Sequence, residues 1–321
     1  MDTAAFVKQL FEETSFLEEP RGLFEPVDYI MHLGGKRLRP QLLITAATLF
    51  GGSAEAVAPA AIAIEIFHNF TLVHDDLMDQ SPLRRGNPTV HTRWDANTAI
   101  LSGDTMLVLA YQHLFQLPAD NLTDILVTFN DTACGVMRGQ QFDMEFERRD
   151  DVTIAEYLDM IRLKTAVLLA GALKIGAQCA HAPESDIRHL YQFGIHMGIA
   201  FQLQDDLLDA YGDTAILGKQ TGQDILDNKK TYLPLHAFEL GSVADREELT
   251  GLFHSNRNVT AEEKVARVLN IYNRLDIRGR TLEEIDNQFD KAYRSLDQIQ
   301  LSDDKKDVLR RMAQTLVGRQ K

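Results

Sequence analysis

Apolar residues recur at intervals of three and four along most of this chain, which is the spacing of one face of an α-helix. Alternation of apolar and polar positions, which would indicate strands, is almost absent. The pattern predicts long helices over residues 54–79, 97–117, 121–147, 154–180 and 186–210. We therefore predict an all-α fold of roughly ten or more helices.

Residues that start or interrupt helices support this prediction. A Thr followed three residues later by Glu forms a capping box, which predicts helix starts at Thr153, Thr260 and Thr281. Short breaks with Gly or Pro occur at 34–35, 51–52, 81–82, 86–88 and 182–183. Because no Pro/Ser-rich linker or low-complexity tract divides the chain, we expect a single domain over residues 1–321.

Composition narrows the class of protein. The chain has 321 residues, of which 45% are hydrophobic and 25% charged, and its net charge of −14 argues against a nucleic-acid partner. Cys134 and Cys179 lack metal-type spacing and are expected to be reduced thiols. Residues 1–8 lack the basic and apolar parts of a signal peptide, and the apolar stretch 166–180 is interrupted by Lys174. We expect a cytoplasmic protein without stable membrane insertion.

Two copies of one acidic pattern occur in the chain. Asp75–Asp79 reads Asp-Asp-Leu-Met-Asp, and Asp205–Asp209 reads Asp-Asp-Leu-Leu-Asp. On a helix the first and last Asp of each run lie ~40° apart and one turn from each other, which suits a hard divalent cation. Each run should also end its helix, because Pro82 or Gly212 follows. Carboxylates there cost roughly 0.3–1 kcal/mol each unless a cation compensates them, so we interpret both runs as metal sites.

Cations are grouped near the first run. Arg84 and Arg85 lie on a Pro/Gly-rich loop just after it, and Gly34–Pro40 places three cations behind a double glycine. Arginine suits phosphate oxygens, and a turn that opens a helix can bind an anion. The alternatives are that the arginines form salt bridges with the aspartates and that the basic run is a solvated face. Both alternatives stay open at this point.

Further polar residues lie near the two runs. His68 precedes Asp75 by seven residues and shares its helix face, while Lys164 stands within an apolar stretch where its charge needs an anion. Lys219 and Lys229 follow the second run. Taken singly, the histidine is more typical of a structural role and the two later lysines of a solvated surface. Taken together, carboxylates that bind Mg²⁺ and cations that bind phosphate oxygens indicate a diphosphate substrate.

These residues resemble the trans-isoprenyl diphosphate synthases of the polyprenyl synthetase family, with six motifs in matching order. The matching segments are Gly34–Pro40, Glu65–His91, Gly139–Asp143, Lys164–Ala166, Phe201–Asp209, and the later Lys219 and Lys229. The resemblance implies helices around a deep central cavity, usually in a homodimer. It implies head-to-tail condensation of isopentenyl diphosphate with dimethylallyl, geranyl or farnesyl diphosphate, to give a short all-trans prenyl diphosphate and release diphosphate.

The resemblance also implies roles for individual residues. Three Mg²⁺ ions would be held by Asp75, Asp79 and Asp205, with secondary contributions from Asp76 and Asp209. The allylic diphosphate would meet Arg84, Lys164, Thr165, Gln202, Lys219 and Lys229. Isopentenyl diphosphate would lie among Lys36, Arg39, His68 and Arg85. The set expected to act in catalysis is Asp75, Asp79, Lys164, Thr165, Gln202, Asp205 and Lys219.

Product length depends, in this family, on bulk just before the first run. Phe70, Thr71 and Phe67 lie fifth, fourth and eighth before Asp75. Aromatic bulk at Phe70 favours a product of fifteen or twenty carbons, and Thr71 in place of a second aromatic favours twenty. Because Phe70 lies about 140° from Asp75 on a helical wheel, which residue forms the floor of the tail pocket stays open.

Two other functions are compatible with a helical fold of this type. A class I terpene cyclase would share an aspartate run, but cyclases commonly carry an Asn/Ser/Glu pattern in place of the second run. A non-catalytic regulatory subunit should have lost carboxylates or cations, and all of those named above are present. We therefore expect a prenyltransferase.

Overall fold

The computed structural model describes residues 2–212, 221–254 and 259–317 of the chain. The helices of the first half are α1 (Thr3–Glu13), α2 (Arg21–His32), α3 (Leu38–Leu49), α4 (Ala54–Met78), α5 (Val90–Arg93), α6 (Ala96–Leu114) and α7 (Leu122–Phe146). Those of the second half are α8 (Ile154–Ile161), α9 (Val167–Cys179), α10 (Glu184–Tyr211), α11 (Gln223–Leu226), α12 (Tyr232–Leu240), α13 (Val243–His254), α14 (Ala261–Arg274), α15 (Ile277–Asp297) and α16 (Asp303–Val317). The predicted all-α class is confirmed.

Two short strands are the only ones in the described ranges. β1 (Leu83–Arg84) and β2 (Asn87–Pro88) form an antiparallel pair. The predicted helix over 154–180 is interrupted as well, because residues Arg162–Ala166 form a π-helical turn between α8 and α9. In that turn the Val167 amide donates to the carbonyl of Arg162, five residues back. Both departures from the expected pattern fall next to candidate site residues.

The chain folds into two compact units, each made of two stretches of sequence. The first unit consists of Met1–Ala133 and Leu168–Tyr191, and the second of Cys134–Val167 and Gln192–Lys321. In the first unit, α4 packs against α3 and α6, and α2 packs against α6. In the second unit, α12 packs against α8, α13, α14 and α15. The first aspartate run belongs to the first unit and the second run to the second unit.

Helix α4 is the core helix of the first unit. Ser53 caps its start by accepting from the amide of Ala56, and its apolar residues Ile64, Ile66 and Phe67 are at most 1% exposed. Among the described residues, this helix alone has the length and composition to cross a membrane, and 67% of its most apolar window is buried inside the structure. A core helix passes the same test, so this is weak evidence for a membrane span.

The three predicted capping boxes have different outcomes. Thr153 caps α8 with both reciprocal hydrogen bonds to Glu156, as predicted. Thr260 caps α14 by accepting from the Glu263 amide. The helix start predicted at Thr281 is wrong, because α15 begins four residues earlier and is capped by Asp276. The Thr281 hydroxyl instead donates to the carbonyl of Ile277 inside that helix.

Candidate active site

The first aspartate run lies where α4 ends. Asp79 is the C-cap residue, one turn after Asp75, so both carboxylates stand at the negative end of the helix dipole. Asp75 is half-buried and Asp79 is exposed, whereas Asp76 is only 2% exposed. Both oxygens of Asp76 accept hydrogen bonds from Arg84, at 2.6 Å from Nε and 2.7 Å from Nη2. The run therefore consists of two accessible carboxylates and one buried carboxylate with its own cation.

The sequence left open whether the arginines bind phosphate or form salt bridges with the aspartates. Arg84 forms a salt bridge with Asp76. Burial disfavours the charge of Arg84, but its hydrogen bonds with Asp76 and the charge of that carboxylate outweigh this and raise its pKa. The charges of Asp75 and Asp79 act in the same direction. Its role as a ligand of the allylic diphosphate stays a prediction.

The arginine pair lies on a hairpin that the hydropathy pattern did not predict. β1 pairs with β2 in the register Arg84 opposite Asn87, and the turn between them is Arg85-Gly86. Both turn residues have positive φ, 53° and 76°, which is the geometry of a two-residue type I′ turn. The hairpin holds the two arginines side by side immediately after the first aspartate run.

Two hydroxyl groups hold the second strand of the hairpin in place by hydrogen bonds with backbone carbonyls. Tyr29 of α2 donates to the carbonyl of Pro88 at 2.7 Å. Thr89 donates to the carbonyl of Ser81 at 2.8 Å, and its amide donates to the carbonyl of Pro82 at 3.1 Å. The hairpin is therefore tied both to α2 and to the residues that follow α4.

The turn before α3 carries a buried ion pair. Arg37 has a left-handed backbone (φ 46°) and donates from Nη1 to Oε1 of Glu65 at 2.9 Å, with side chains that are 9% and 2% exposed. It also donates to the carbonyl of Met31 and lies over the ring of Phe11. Asn69 donates to Glu65 as well. Among the three cations of this segment, Arg37 therefore has a structural role in a buried ion pair.

Gly35 in the same turn leaves room for Arg85. Its φ of 125° is in the region that favours glycine, and a Cβ there would stand 2.8 Å from the guanidinium of Arg85. Arg85 donates to the carbonyl of Gly34, so the hairpin and this turn meet. The double glycine that the sequence marked as a turn thus allows close approach of a cation from a segment 50 residues away in the chain.

His68 lies within a group of arginines in the first unit. Burial lowers its pKa well below 6.5, and the charges of Arg39, Arg85, Arg84 and Arg37 lower it further, so it is neutral at physiological pH. The pKa of Arg39 is lowered to about 10, chiefly by burial. The charge of Arg85 lowers this pKa further, whereas the charge of Glu65 raises it. The buried Nε of Arg39 has no hydrogen-bond partner among the described residues. Such a group is suited to receive an anion.

The structure thus brings three of the four residues predicted for isopentenyl diphosphate into one electrostatic neighbourhood, namely Arg39, His68 and Arg85. The fourth, Lys36, lies on the same turn and is exposed. The Oγ1 atom of Thr71 donates to the carbonyl of His68 at 2.7 Å.

The residues predicted to limit product length belong to an aromatic cluster. Phe67 is fully buried, and its ring centroid lies 5.5 Å from that of Phe70 and 5.4 Å from that of Phe129. Phe129 in turn packs edge-on against Tyr111 at 5.1 Å. Phe70 is 7% exposed and packs against His74 at 4.8 Å. The first unit therefore has a cluster of tilted and edge-on aromatic rings around Phe67 and Phe70, one to two turns before the first aspartate run.

The second aspartate run occupies the last two turns of α10. Asp205 and Asp209 are half-buried, whereas Asp206 is 5% exposed. Oδ2 of Asp209 accepts the amide of Asp224 at 3.0 Å, and burial raises the pKa of Asp209 although backbone amides oppose the shift. As in the first run, the second of the three aspartates is the buried one.

The π-helical turn presents Lys164 and Thr165 to α7 and α10. Lys164 donates to Oδ2 of Asp143 at 2.5 Å, and Thr165 donates to Oε1 of Gln202 at 3.0 Å. A Cβ at Gly139 would stand only 2.2 Å from the backbone nitrogen of Lys164. The glycine of the Gly139–Asp143 motif therefore allows α7 to lie directly against this turn, and its aspartate holds the lysine.

Of the two lysines predicted after the second run, Lys229 is among the described residues. Lys219 lies outside the described residues. Lys229 lies 3.7 Å from Oδ1 of Asp224, whose pKa burial raises to about 6 while Lys229 opposes the shift. Asp224 had no predicted role, yet it connects Lys229 with Asp209. Asp143 was missed too, although it stands in a motif that the sequence singled out.

The donor set fits magnesium in type but is incomplete by itself. Asp75, Asp79 and Asp205 offer hard carboxylate oxygens, which Mg²⁺ prefers. Among the described residues, however, no three His, Cys, Asp or Glu side chains lie close enough to hold a metal ion alone. Mg²⁺ usually completes its octahedron with water and substrate phosphate oxygens, so one or two carboxylates for each ion suffice.

Comparison with known proteins gives a consistent result. A family model described as polyprenyl synthetase matches residues 20–272, more than half of the chain. The chain is 39% identical over 244 residues to the geranylgeranyl diphosphate synthase of Methanosarcina mazei, covering 75% of each chain. It is 38% identical over 253 residues to the geranylfarnesyl diphosphate synthase of Natronomonas pharaonis, covering 73% of this chain and 74% of that one. A crystal structure of a geranylgeranyl pyrophosphate synthase superposes with a TM-score of 0.92 and 41% identity over 99% of this chain and 97% of that one.

Proposed function

This chain belongs to the polyprenyl synthetase family, and on that premise we propose that it condenses isopentenyl diphosphate with an allylic diphosphate to form geranylgeranyl diphosphate. It is a short-chain trans-prenyltransferase, an enzyme class whose substrates are these two diphosphates. The single observation that carries the assignment is the pair of aspartate runs at the ends of α4 and α10. Each run has cationic side chains in its own unit, which supports the binding of a diphosphate.

Magnesium is the ion that the family uses for prenyl transfer. We propose that Asp75, Asp79 and Asp205 hold three ions together with the allylic diphosphate. When bound, these ions would supply positive charge to the departing diphosphate. Asp76 and Asp209 were predicted as secondary ligands. Both oxygens of Asp76 already accept hydrogen bonds from Arg84. We therefore propose that Asp76 supports the metal site without binding an ion directly.

The protein side chains have separate tasks in the proposed reaction. Lys164 and Lys229, with Lys219, bind the allylic diphosphate and stabilise the charge that develops on it as its C–O bond breaks. The oxygens of Thr165 and Gln202, which share a hydrogen bond, direct partial negative charge toward the allylic cation. No side chain is assigned as the final base, because the released diphosphate can accept the proton.

Isopentenyl diphosphate is proposed to bind among Lys36, Arg39, Arg85 and His68. The unpartnered Nε of Arg39 supports an anion here, since an anion would satisfy that donor, and the charges of the arginines around His68 favour the same ligand. The substrate would thereby neutralise part of a strongly cationic cluster. This cluster contains no predicted metal ligand, in keeping with a substrate that binds without metal.

A homodimer is proposed on the basis of α6. Leu101 and Val108 of α6 and its C-cap residue Phe115 are spaced seven residues apart along one face and are 59%, 57% and 61% exposed. Val127 of α7, in the same unit, is 53% exposed. Exposed apolar side chains in a row are typical of protein–protein interfaces.

Cys134 and Cys179 form no disulfide, which suits the proposed cytoplasmic location.

The proposed function is tested by incubating the protein with Mg²⁺, labelled isopentenyl diphosphate and, in turn, dimethylallyl, geranyl or farnesyl diphosphate. We expect a twenty-carbon prenyl alcohol after dephosphorylation and chromatography, and no product after chelation of the metal. Asp75→Asn and Asp205→Asn should each reduce turnover roughly 100-fold or more while the protein stays folded. A cyclic hydrocarbon formed without isopentenyl diphosphate would indicate a terpene cyclase, and an inactive protein would indicate a regulatory subunit.

A further inference from the structure

Asp206 differs from the two aspartates that flank it in the second run. It is 5% exposed, and on the helix it lies ~100° from Asp205 and ~60° from Asp209. Its carboxylate therefore leaves α10 in a direction different from those of the predicted metal ligands.

Both oxygens of Asp206 accept hydrogen bonds from uncharged donors. The hydroxyl of Tyr157, on α8, donates to Oδ2, and Nε2 of Gln202 donates to Oδ1 at 3.1 Å. Oε1 of Gln202 accepts from Thr165, which fixes the orientation of the amide. The hydrogen bonds thus connect α8, the π-helical turn and α10 through one buried carboxylate, and all four residues belong to the second unit.

The surroundings make Asp206 dependent on these donors. Asp206 is 5% exposed and lies near the charge of Asp224, so the hydrogen bonds from Tyr157 and Gln202 are needed to compensate its buried carboxylate. The pKa of Tyr157 is raised well above 10 by its own burial and by Asp206, so its hydroxyl stays a donor at physiological pH. Tyr157 is 2% exposed, and replacing its ring hydroxyl by hydrogen would leave the packing almost unchanged.

We propose that Tyr157 is a positioning residue for the second aspartate run: through Asp206 it fixes the rotation of the last turns of α10 and so the directions of Asp205 and Asp209. The inference rests on the proposed function, in which Asp205 and Asp209 contribute to metal binding. Asp76 in the first unit has the same place in its run, the same burial and a single partner from a neighbouring segment, Arg84. Both runs therefore hold their second aspartate from outside the helix.

Tyr157→Phe tests this, with Tyr272→Phe as its matched control. Tyr272 is also a fully buried tyrosine of the second unit, and its hydroxyl has no hydrogen-bond partner among the described residues. The first readout is the rise in melting temperature caused by Mg²⁺ at a fixed concentration of inorganic pyrophosphate. The second readout compares KM for the allylic diphosphate with KM for isopentenyl diphosphate.

Tyr157→Phe should raise the Mg²⁺ concentration for half of the thermal shift about 10-fold or more, as loss of partners around metal ligands commonly does. KM for the allylic diphosphate should rise with it, while KM for isopentenyl diphosphate and all values of Tyr272→Phe change less than about two-fold. In an Asp206→Asn background, adding Tyr157→Phe should change the Mg²⁺ requirement less than about two-fold, because the partner is already altered.

Two results would overturn the inference: an unchanged Mg²⁺ requirement in Tyr157→Phe, or an equal effect of this change with and without Asp206→Asn. A wild-type protein that neither transfers prenyl groups nor responds to Mg²⁺ with pyrophosphate would instead refute the proposed function. The two failures are therefore distinguished by the wild-type measurement.

Discussion

Glu65 is a carboxylate buried within the core helix of the first unit, and Arg37 is its cation. Because both side chains are at most 9% exposed, removing one would leave the other charge buried and uncompensated. We expect Glu65→Gln to lower the free energy of unfolding by about 3–5 kcal/mol in denaturant titration. Glu55→Gln, at an exposed position in the first turn of the same helix, should change it by less than about 1 kcal/mol. Equal effects of the two changes would contradict the assignment of a buried ion pair.

Product length is a second property that individual residues decide. Phe67→Ala or Phe70→Ala should lengthen the product beyond twenty carbons, because each removes a ring from the aromatic cluster before the first run. Truncation of a buried phenylalanine costs about 3–5 kcal/mol, so the products should be chromatographed at a temperature where the variants remain folded. Leu249→Ala, which truncates a fully buried side chain of α13 in the second unit, serves as the control. If both phenylalanine variants give the wild-type product, these rings do not form the floor of the tail pocket.

At this scale the sequence predicts the carboxylates and most cations of the site, because their spacing and charge are visible along the chain. It does not predict which aspartate of a run is buried, since that depends on partners such as Tyr157 that lie far away in sequence. Asp143 could have been found, because a charged residue beside Gly139 in a matching motif needs an explanation. Arg37 and Glu65 are separated by 28 residues, and nothing in the local pattern pairs them.

The contact of α7 with the π-helical turn leaves no room for a side chain at Gly139. A methyl group at Gly139 would meet backbone atoms of Lys164 at 2.2 and 2.6 Å, which cannot be relieved by moving a flexible side chain. We expect Gly139→Ala to cost about 1–3 kcal/mol of stability, as overpacking does, and to reduce turnover by displacing Lys164 and Thr165.

The control for this prediction is Gly251→Ala in α13. A Cβ there meets nothing within 4 Å, so the substitution should leave stability and turnover almost unchanged. Differential scanning calorimetry and the prenyl-transfer assay provide the two measurements. A Gly139→Ala variant as stable and active as Gly251→Ala would show that the two segments can separate without consequence.

The elements that escaped prediction are those too short or too irregular for a periodic pattern. A strand of two residues has no alternation to detect, and the hairpin turn is Arg-Gly rather than the common Asn-Gly. A single π-helical turn shifts the helical period within an otherwise apolar stretch, so 154–180 appears as one helix. The long helices were predicted because burial of one face imposes a period over many residues.

At the scale of the whole molecule, the exposed row on α6 determines the expected oligomeric state. Val108→Glu places a charge in the middle of this row, which would be costly to bury in an interface. Light scattering coupled to gel filtration should give twice the chain mass for the wild type and a large shift toward the chain mass for the variant. Val243→Glu, at a valine that is 72% exposed on another helix, should remain dimeric. A wild-type protein with the mass of one chain would contradict the proposal.

The division into two compact units follows from contacts that the linear sequence does not display. The first unit takes residues 1–133 and 168–191 and the second takes residues 134–167 and 192–321, so α7, α9 and α10 contribute residues to both. Linker composition gave no sign of this, because the chain changes unit within helices rather than between them. The expectation of one domain over 1–321 therefore stays a prediction.

In the proposed reaction, the two aspartate runs bind metal together with a diphosphate. A crystal grown with inorganic pyrophosphate and Mn²⁺, which substitutes for Mg²⁺ and is located by its anomalous scattering, tests it directly. We predict metal ions ligated by Asp75 and Asp79 and by Asp205, each also bound to a pyrophosphate oxygen. Pyrophosphate bound without metal at these carboxylates, or metal ions bound only elsewhere, would contradict the account.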